Sequence, residues 1–199
     1  MRIFSMLFVL CTFAMILSIV EPASAQIRSD ETKVYAVLIN QLSKENLPNS
    51  TTVVLTKTMP LSQGMLIPKA DEISKFMPTA TKSVISDFLS VSEKEMHFDI
   101  PKPSSQSSRR VLSLSEKDFV TLFKGSNKLH ESWNRFFHQY PKSHGLITFS
   151  RVGLDKESKQ ALVLLSTLSD GKFESGDLFL LLKKNGRWEI FERVNIWIT

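Results

Sequence analysis

The pair Asn185-Gly186 lies between two apolar runs and limits the fold of this chain more than any other feature. An Asn-Gly link of two residues favours a β-hairpin, because both turn positions need positive φ and these residues adopt it at low cost. Two further apolar runs precede it and are separated by turn residues. The sequence therefore predicts an antiparallel meander of four strands, over 146–152, 161–168, 178–184 and 187–198.

Helices and one further strand are predicted before the meander. Asp30, Thr81, Ser115 and Asn127 each precede apolar residues at helical spacing, so each is expected to begin a helix. The β-branched run 51–57 predicts a strand, and no element is predicted for 60–78. The Pro/Ser-rich stretch 101–110 is predicted to be a mobile loop. We predict one α+β domain over 26–199, with amphipathic helices packed on one face of the meander.

The first residues have the three parts of a secretory signal peptide. Arg2 supplies the positive charge, 3–20 is apolar, and Ala23-Ser24-Ala25 is the small-residue pattern of a cleavage site. We predict a signal peptide over 1–25, a mature chain beginning at Gln26 and an exported protein, periplasmic or extracellular. An uncleaved anchor is the alternative, since the run approaches the roughly 20 residues that cross a bilayer. After cleavage we expect no integral membrane segment.

The only cysteine, Cys11, lies in the predicted signal peptide. A mature chain without cysteine excludes disulfides, thiol nucleophiles and zinc-cysteine sites, although exported domains commonly use disulfides. The domain must therefore be stabilised by core packing alone.

Positive charge is concentrated in one segment of a chain whose formal net charge is +5. This segment, 102–144, is interpreted either as a solvated face or as a surface for an anionic component of the cell envelope. Nucleic acid is not expected as a partner, because no motif for it occurs. The basic residues of the segment are Lys102, Arg109, Arg110, Lys117, Lys124, Lys128, Arg135 and Lys142.

Catalytic and metal-binding motifs are missing from the sequence. His130 and His138 fall on one predicted helix about 12 Å apart, too far to share an ion. Neither a Gly-x-Ser-x-Gly elbow nor a phosphate-binding glycine loop occurs. We therefore predict no metal and no cofactor, and an enzyme is the less favoured class.

An aromatic stripe on the helix after Asn127 predicts a buried face. Its members recur at helical spacing and are Leu129, Trp133, Phe136, Phe137 and Tyr140. Packing in the core is the preferred interpretation, and a face that stacks on a ligand is the alternative.

Two charges of opposite sign interrupt apolar strand faces in the meander. Alternation places Arg151 with Ile147 and Phe149, and Glu192 with Trp188 and other apolar residues of the last strand. We hypothesise that Arg151 and Glu192 pair at a concave face, because a lone buried charge is costly. The alternative is that Arg151 marks a strand end and a bulge turns Glu192 to solvent. The candidate binding residues are Arg151, Glu192, Trp133 and His144.

The C-terminal third resembles a family of uncharacterised secreted bacterial proteins. The resemblance is carried by Phe149-Ser-Arg-Val-Gly153, by Gln160-Ala-Leu-Val163 and by the hairpin Gly186-Arg-Trp188 ending in Trp197. The family often has Cys-Gly pairs in the turn after the second strand, where this chain has Ser169 to Ser175, so any family disulfide is lost. The resemblance implies export and a fold but no activity. The closing hairpin is also similar to NTF2-like folds.

The function predicted is a non-catalytic exported module that binds a small ligand or a cell-envelope partner near Arg151 and Trp133. One alternative is a small hydrolase or isomerase that uses His144 or a carboxylate such as Glu192. Another is an interaction protein that acts through the basic segment 102–144. The sequence gives no indication of oligomeric state.

Overall fold

A computed structural model of the chain describes residues 23–45, 49–61, 68–100, 110–123, 129–170 and 174–198, with side chains from residue 29 onward. Most of the predicted signal peptide, 1–22, and most of the predicted loop, 101–109, lie outside these ranges. The predicted cleavage triplet forms the first turn of a helix that begins at Ala23. No helix in the described ranges is both long enough and apolar enough to cross a membrane.

Five helices occur in the described ranges. The predicted caps of two are confirmed, because Thr81 Oγ1 accepts from Val84 N at 3.3 Å and Ser115 Oγ accepts from Asp118 N at 3.1 Å. The start predicted at Asp30 is wrong, since the first helix begins seven residues earlier. A short helix in the stretch 60–78 was not predicted. The helices are α1 Ala23–Glu45, α2 Ala70–Phe76, α3 Lys82–Val91, α4 Glu116–Phe123 and α5 Leu129–Gln139.

Seven strands of the described chain form one mixed sheet, so the predicted α+β class is confirmed. The order is β2-β1-β3-β5-β6-β7, and the short strand β4 pairs with β5. Strands β1, β2 and β3 are parallel, whereas β3, β5, β6 and β7 are antiparallel. This matches the predicted meander only loosely, because the strand predicted over 146–152 ends at Phe149 and β4 follows it before β5. The strands are β1 Thr51–Leu55, β2 Arg110–Leu114, β3 Ser143–Phe149, β4 Gly153–Leu154, β5 Gln160–Leu168, β6 Ser175–Lys184 and β7 Arg187–Ile198.

The hairpin predicted at Asn185-Gly186 is present. Asn185 and Gly186 have φ of 49° and 77° and join β6 to β7, as a type I′ turn requires. Strand β2 was not predicted, because its exposed outer positions give little apolar pattern.

The helices cover both faces of the sheet, which corrects the prediction of helices on one face. Alternate residues of β5 show this division. Val163 and Leu165 pack in the same cluster as Val34 and Leu38 of α1. The intervening residues of β5 pack with α2 and α3. Helices α4 and α5 lie on the same side as α2 and α3, where they cover β1 and the start of β3.

Strand β7 contains a bulge that changes which face its residues occupy. Leu180 pairs with Glu192 but Leu181 pairs with Ile190, so Phe191 has no partner in the ladder. Ile190 therefore packs with α1, whereas Val194 packs with α2 and α3. The prediction that Glu192 shares a face with Trp188 is wrong for this reason. The bulge of the alternative interpretation is present, but Glu192 is half-buried opposite Leu180 and is not turned to solvent.

Candidate functional site

The four predicted binding residues lie in different parts of the molecule. Arg151 follows the carboxyl end of β3, and His144 is exposed at its amino end. Trp133 is 4% exposed and packs edge-on against Phe123 and Phe136, which confirms the core interpretation for the aromatic residues of the stripe. Leu129 corrects it at the first position, since this side chain is 60% exposed. Glu192 lies midway along β7. The structure therefore does not join them into one site.

The carboxylate that pairs with Arg151 belongs to Glu31 of α1, not to Glu192. Arg151 Nε and Nη2 donate to Glu31 Oε1 at 3.0 and 2.7 Å. The Glu31 side chain is fully buried and that of Arg151 is 17% exposed. Because removing one partner would leave a buried charge, this pair fixes both the guanidinium and the first half of α1.

A signal for Glu31 was present in the sequence. Glu31 precedes Tyr35 and Leu38 at helical spacing, so it belongs to the apolar stripe of α1. A charge on such a stripe needs a buried partner. The predicted start at Asp30 placed Glu31 at the exposed beginning of a helix, and the signal was missed for that reason.

A second ion pair anchors the same turn of α1. Lys183 Nζ lies 3.0 Å from both oxygens of Asp30, which is 1% exposed, and 5.1 Å from the centre of the Trp188 ring. Asp30 and Glu31, which are consecutive in α1, thus pair with Lys183 of β6 and with Arg151 after β3.

A cavity of about 630 Å³ opens beside Arg151, and we call it the Arg151 cavity. It runs from the buried Glu31 of α1 to the outer face of α3. Gly153 allows α3 to lie this close, since a Cβ on it would stand 2.4 Å from backbone atoms of Phe88. The lining residues are Glu31, Ser83, Ser86, Asp87, Ser90, Val91, Lys94, Arg151, Val152, Leu154, Asp155, Lys156 and Ser158.

A second polar cluster stands where β1 and β2 end. Lys57 Nζ lies 2.5 Å from Glu116 Oε1 and 2.7 Å from Glu95 Oε2, and His97 Nε2 lies 3.4 Å from Glu116 Oε2. Hydrogen bonds to Glu116, and to a smaller extent to Glu95, raise the pKa of Lys57. The ammonium group of Lys57 is therefore held by these two carboxylates. A cavity of about 600 Å³ adjoins the cluster, lined by Thr56, His97, Phe98, Asp99, Ile100, Ser113 and Ser115.

The opposite edge of the parallel strands carries exposed cations. Thr51 pairs with Arg110 on one side and with Ser143 on the other, and Thr51 N donates to Lys142 O. Arg110, Lys142 and His144 are exposed and belong to no ion pair within the described ranges. We call Arg110 and Lys142 the amino-edge cations.

The described chain has no group of three or more His, Asp or Glu side chains that could hold a metal ion. His130 and His138 are both exposed on α5.

The chain matches no protein-family model, no curated protein and no solved structure. The resemblance of its C-terminal third to secreted bacterial proteins, and the similarity of its hairpin to NTF2-like folds, stay hypotheses.

Proposed function

We propose that this chain is an exported, non-catalytic module that binds a small ligand in the Arg151 cavity. One observation carries the proposal: a guanidinium held by a fully buried carboxylate faces a cavity of about 630 Å³. Small-molecule sites commonly have volumes of roughly 300 to 1,000 Å³ with a few fixed polar groups.

The geometry of Arg151 suits it to binding. An arginine has five N–H donors, and Glu31 Oε1 accepts from only two of its nitrogens, Nε and Nη2. The protein has therefore already fixed this side chain, and donors of Nη1 remain for a ligand. Fixing a group before binding lowers the entropy lost when the ligand arrives.

Binding is favoured over catalysis by what surrounds the guanidinium. Four serines line the cavity, yet no histidine stands among its described lining residues. A serine needs an adjacent base to act as a nucleophile. His144, the residue that a hydrolase or isomerase would use, lies at the other end of β3.

Native mass spectrometry of the protein purified from its own exported fraction tests the proposal. We expect a discrete small mass that is lost on mild denaturation. Ser90 is exposed and lines the cavity, so Ser90→Trp should block the site and abolish the added mass. Lys75→Trp, on the exposed face of α2, is the matched control and should keep it. No added mass in any sample, or retention by Ser90→Trp, would contradict the proposal.

The amino-edge cations favour a second candidate function, binding of a linear polyanion of the cell envelope. Arg110 begins β2 and Lys142 directly precedes β3, the two strands that flank β1. Neither makes an ion pair in the described chain, so both can meet the anionic groups of a polymer. Acidic residues limit this attraction, because Asp170 and Glu174 lie between β5 and β6, next to the end of β5 that pairs with the first half of β3. Binding of polyphosphate that weakens as salt rises, and falls in Lys142→Glu but not in Lys75→Glu, would support this function. Binding only to anionic lipid vesicles would contradict it.

A further inference from the structure

We infer that the ligand of the Arg151 cavity is a small zwitterion of the short-peptide type, with opposite charges about 10 Å apart. This inference rests on the proposed function, because it names the class of ligand for the same cavity.

The charges that line the cavity are balanced. Three acidic and three basic side chains surround it, so an ion of one sign would gain little from the total charge. The positive and the negative side chains are nevertheless concentrated at opposite ends of the cavity. A ligand that carries two separated charges of opposite sign fits this arrangement.

One end of the cavity is positive. Arg151 follows β3, and Lys94 follows α3 in the segment where Ser92 Oγ contacts Arg151 O at 3.4 Å. Glu31 offsets one of these two charges through its pair with Arg151. Lys94 makes no ion pair within the described residues, so this end carries one surplus positive charge.

The other end is negative. Asp87 of α3 is fixed there, because its Oδ2 accepts from Leu154 N at 2.8 Å. Asp155 adjoins it, and its Oδ1 accepts from the backbone N–H groups of residues 159 and 160 at 2.6 and 2.9 Å. Each carboxylate keeps a second oxygen that can accept from a ligand. Lys156, the residue after Asp155, also lines the cavity, so the sum of these three charges leaves this end with one surplus negative charge.

The distance between the two ends sets the size of the ligand. Leu154, which binds Asp87, comes three residues after Arg151, and extended chain advances about 3.3 Å per residue. The backbone positions that mark the two ends are therefore about 10 Å apart, which is similar to the span of an extended tripeptide with free termini. Hydroxyl groups that can bind amides lie along the cavity, on Ser83, Ser86, Ser90 and Ser158.

Calorimetric titration with trialanine and two blocked derivatives tests the inference. N-acetyl-trialanine has no ammonium and trialanine amide has no carboxylate. We expect each blocked peptide to bind at least about tenfold more weakly than trialanine, since each loses a charged hydrogen-bonding group. Glucose and inorganic phosphate, which lack one or both charges, serve as comparison probes and should bind more weakly than trialanine.

Two conservative variants assign the ends of the peptide. Asp87→Asn keeps an oxygen for Leu154 N and removes the charge, so it should weaken trialanine and the amide but leave the acetylated peptide unchanged. Lys94 is exposed, and Lys94→Gln should weaken trialanine and the acetylated peptide but leave the amide unchanged. Lys75→Gln on α2 is the matched control and should change none of the three.

The outcomes separate this inference from the proposed function. If glucose or phosphate binds more tightly than trialanine, or if blocking the termini has no effect, the zwitterion inference is wrong and the small-ligand module stands. The same holds if the native protein releases a mass that is not a zwitterion. If no probe binds and no mass is released, both are wrong.

Discussion

The two edges of the parallel strands β1, β2 and β3 use charge in opposite ways. At the carboxyl edge, Arg151 and Lys57 are bound by carboxylates. Arg151 lines one cavity, and Thr56, the residue before Lys57, lines another. At the amino edge, Arg110, Lys142 and His144 are exposed and have no charged partner in the described chain. We expect that removing a charge at the carboxyl edge destabilises the fold, whereas removing a charge at the amino edge leaves the fold unaltered. Each edge therefore calls for a different experiment.

The largest effect is expected at the Glu31–Arg151 pair. Arg151→Leu leaves a buried carboxylate without its cation, so we expect a loss of about 3 to 5 kcal/mol in the free energy of unfolding. The double variant Glu31→Leu/Arg151→Leu should recover most of this loss, because neither charge of this pair remains buried. Urea denaturation of both variants measures the difference. A loss below about 1 kcal/mol in Arg151→Leu would mean that the carboxyl edge is no more structural than the amino edge.

Gly153→Ala tests the contact between β4 and α3 that shapes the Arg151 cavity. The new Cβ would stand 2.4 Å from backbone of Phe88, so α3 must move. Overpacking of this kind costs about 1 to 3 kcal/mol, which thermal and urea unfolding can detect. Gly186→Ala is a useful contrast, since a Cβ there meets nothing within 4 Å and only the positive φ opposes it. A Gly153→Ala variant as stable as the parent protein would disprove the close approach.

The buried hydroxyl of Tyr35 makes the stability of the protein depend on pH in the alkaline range. Burial, and then the charge of Glu31, raise the pKa of Tyr35 well above its ordinary value of 10.0, and its hydroxyl donates to Ser150 O at 3.0 Å. Above pH 10 the unfolded chain ionises at this residue while the folded protein does not. Stability is therefore complete below pH 10 and falls by up to about 1.4 kcal/mol per pH unit above it.

The control for this prediction is Tyr35→Phe. This variant should be less stable near neutral pH by about 1 kcal/mol, because Ser150 O loses its donor. Its stability should fall less steeply above pH 10, as measured by urea unfolding at fixed pH values. Equal slopes for both proteins would contradict the assignment.

The smallest effect is expected at the amino edge. Lys142 has a φ of 67°, a conformation that glycine adopts at lower cost, so Lys142→Gly should be unchanged or more stable by up to about 1 kcal/mol. The same variant removes one amino-edge cation and should weaken any binding to polyphosphate. Destabilisation by more than 1 kcal/mol in thermal unfolding would show that this edge is structural after all.

Local sequence signals predicted much of the fold. The hairpin at Asn185-Gly186, the cap at Thr81 and the apolar stripe at Trp133 depend on residues a few positions apart, so spacing alone reveals them. Strand β2 and helix α2 were missed, since both are short and their exposed positions weaken the periodicity. The bulge at Phe191 was only an alternative, because a shift in register depends on the partner strand β6.

The sequence predicted one member of the Glu31–Arg151 pair but not the other. Arg151 stands out in the sequence as a charge on an apolar strand face, but its partner is 120 positions away on another element. Pairing it with Glu192 assumed unbroken alternation along β7, which the bulge at Phe191 interrupts.

The sequence by itself determined the class of the fold, the meander and which residues needed burial, because these depend on the period of apolar residues and on turn geometry. The tertiary structure decided three other things: the three parallel strands, the division of helices between two faces, and the identity of the carboxylate beside Arg151. These depend on contacts between distant segments. A buried charge requires a partner, but only the packed chain determines which carboxylate is within reach.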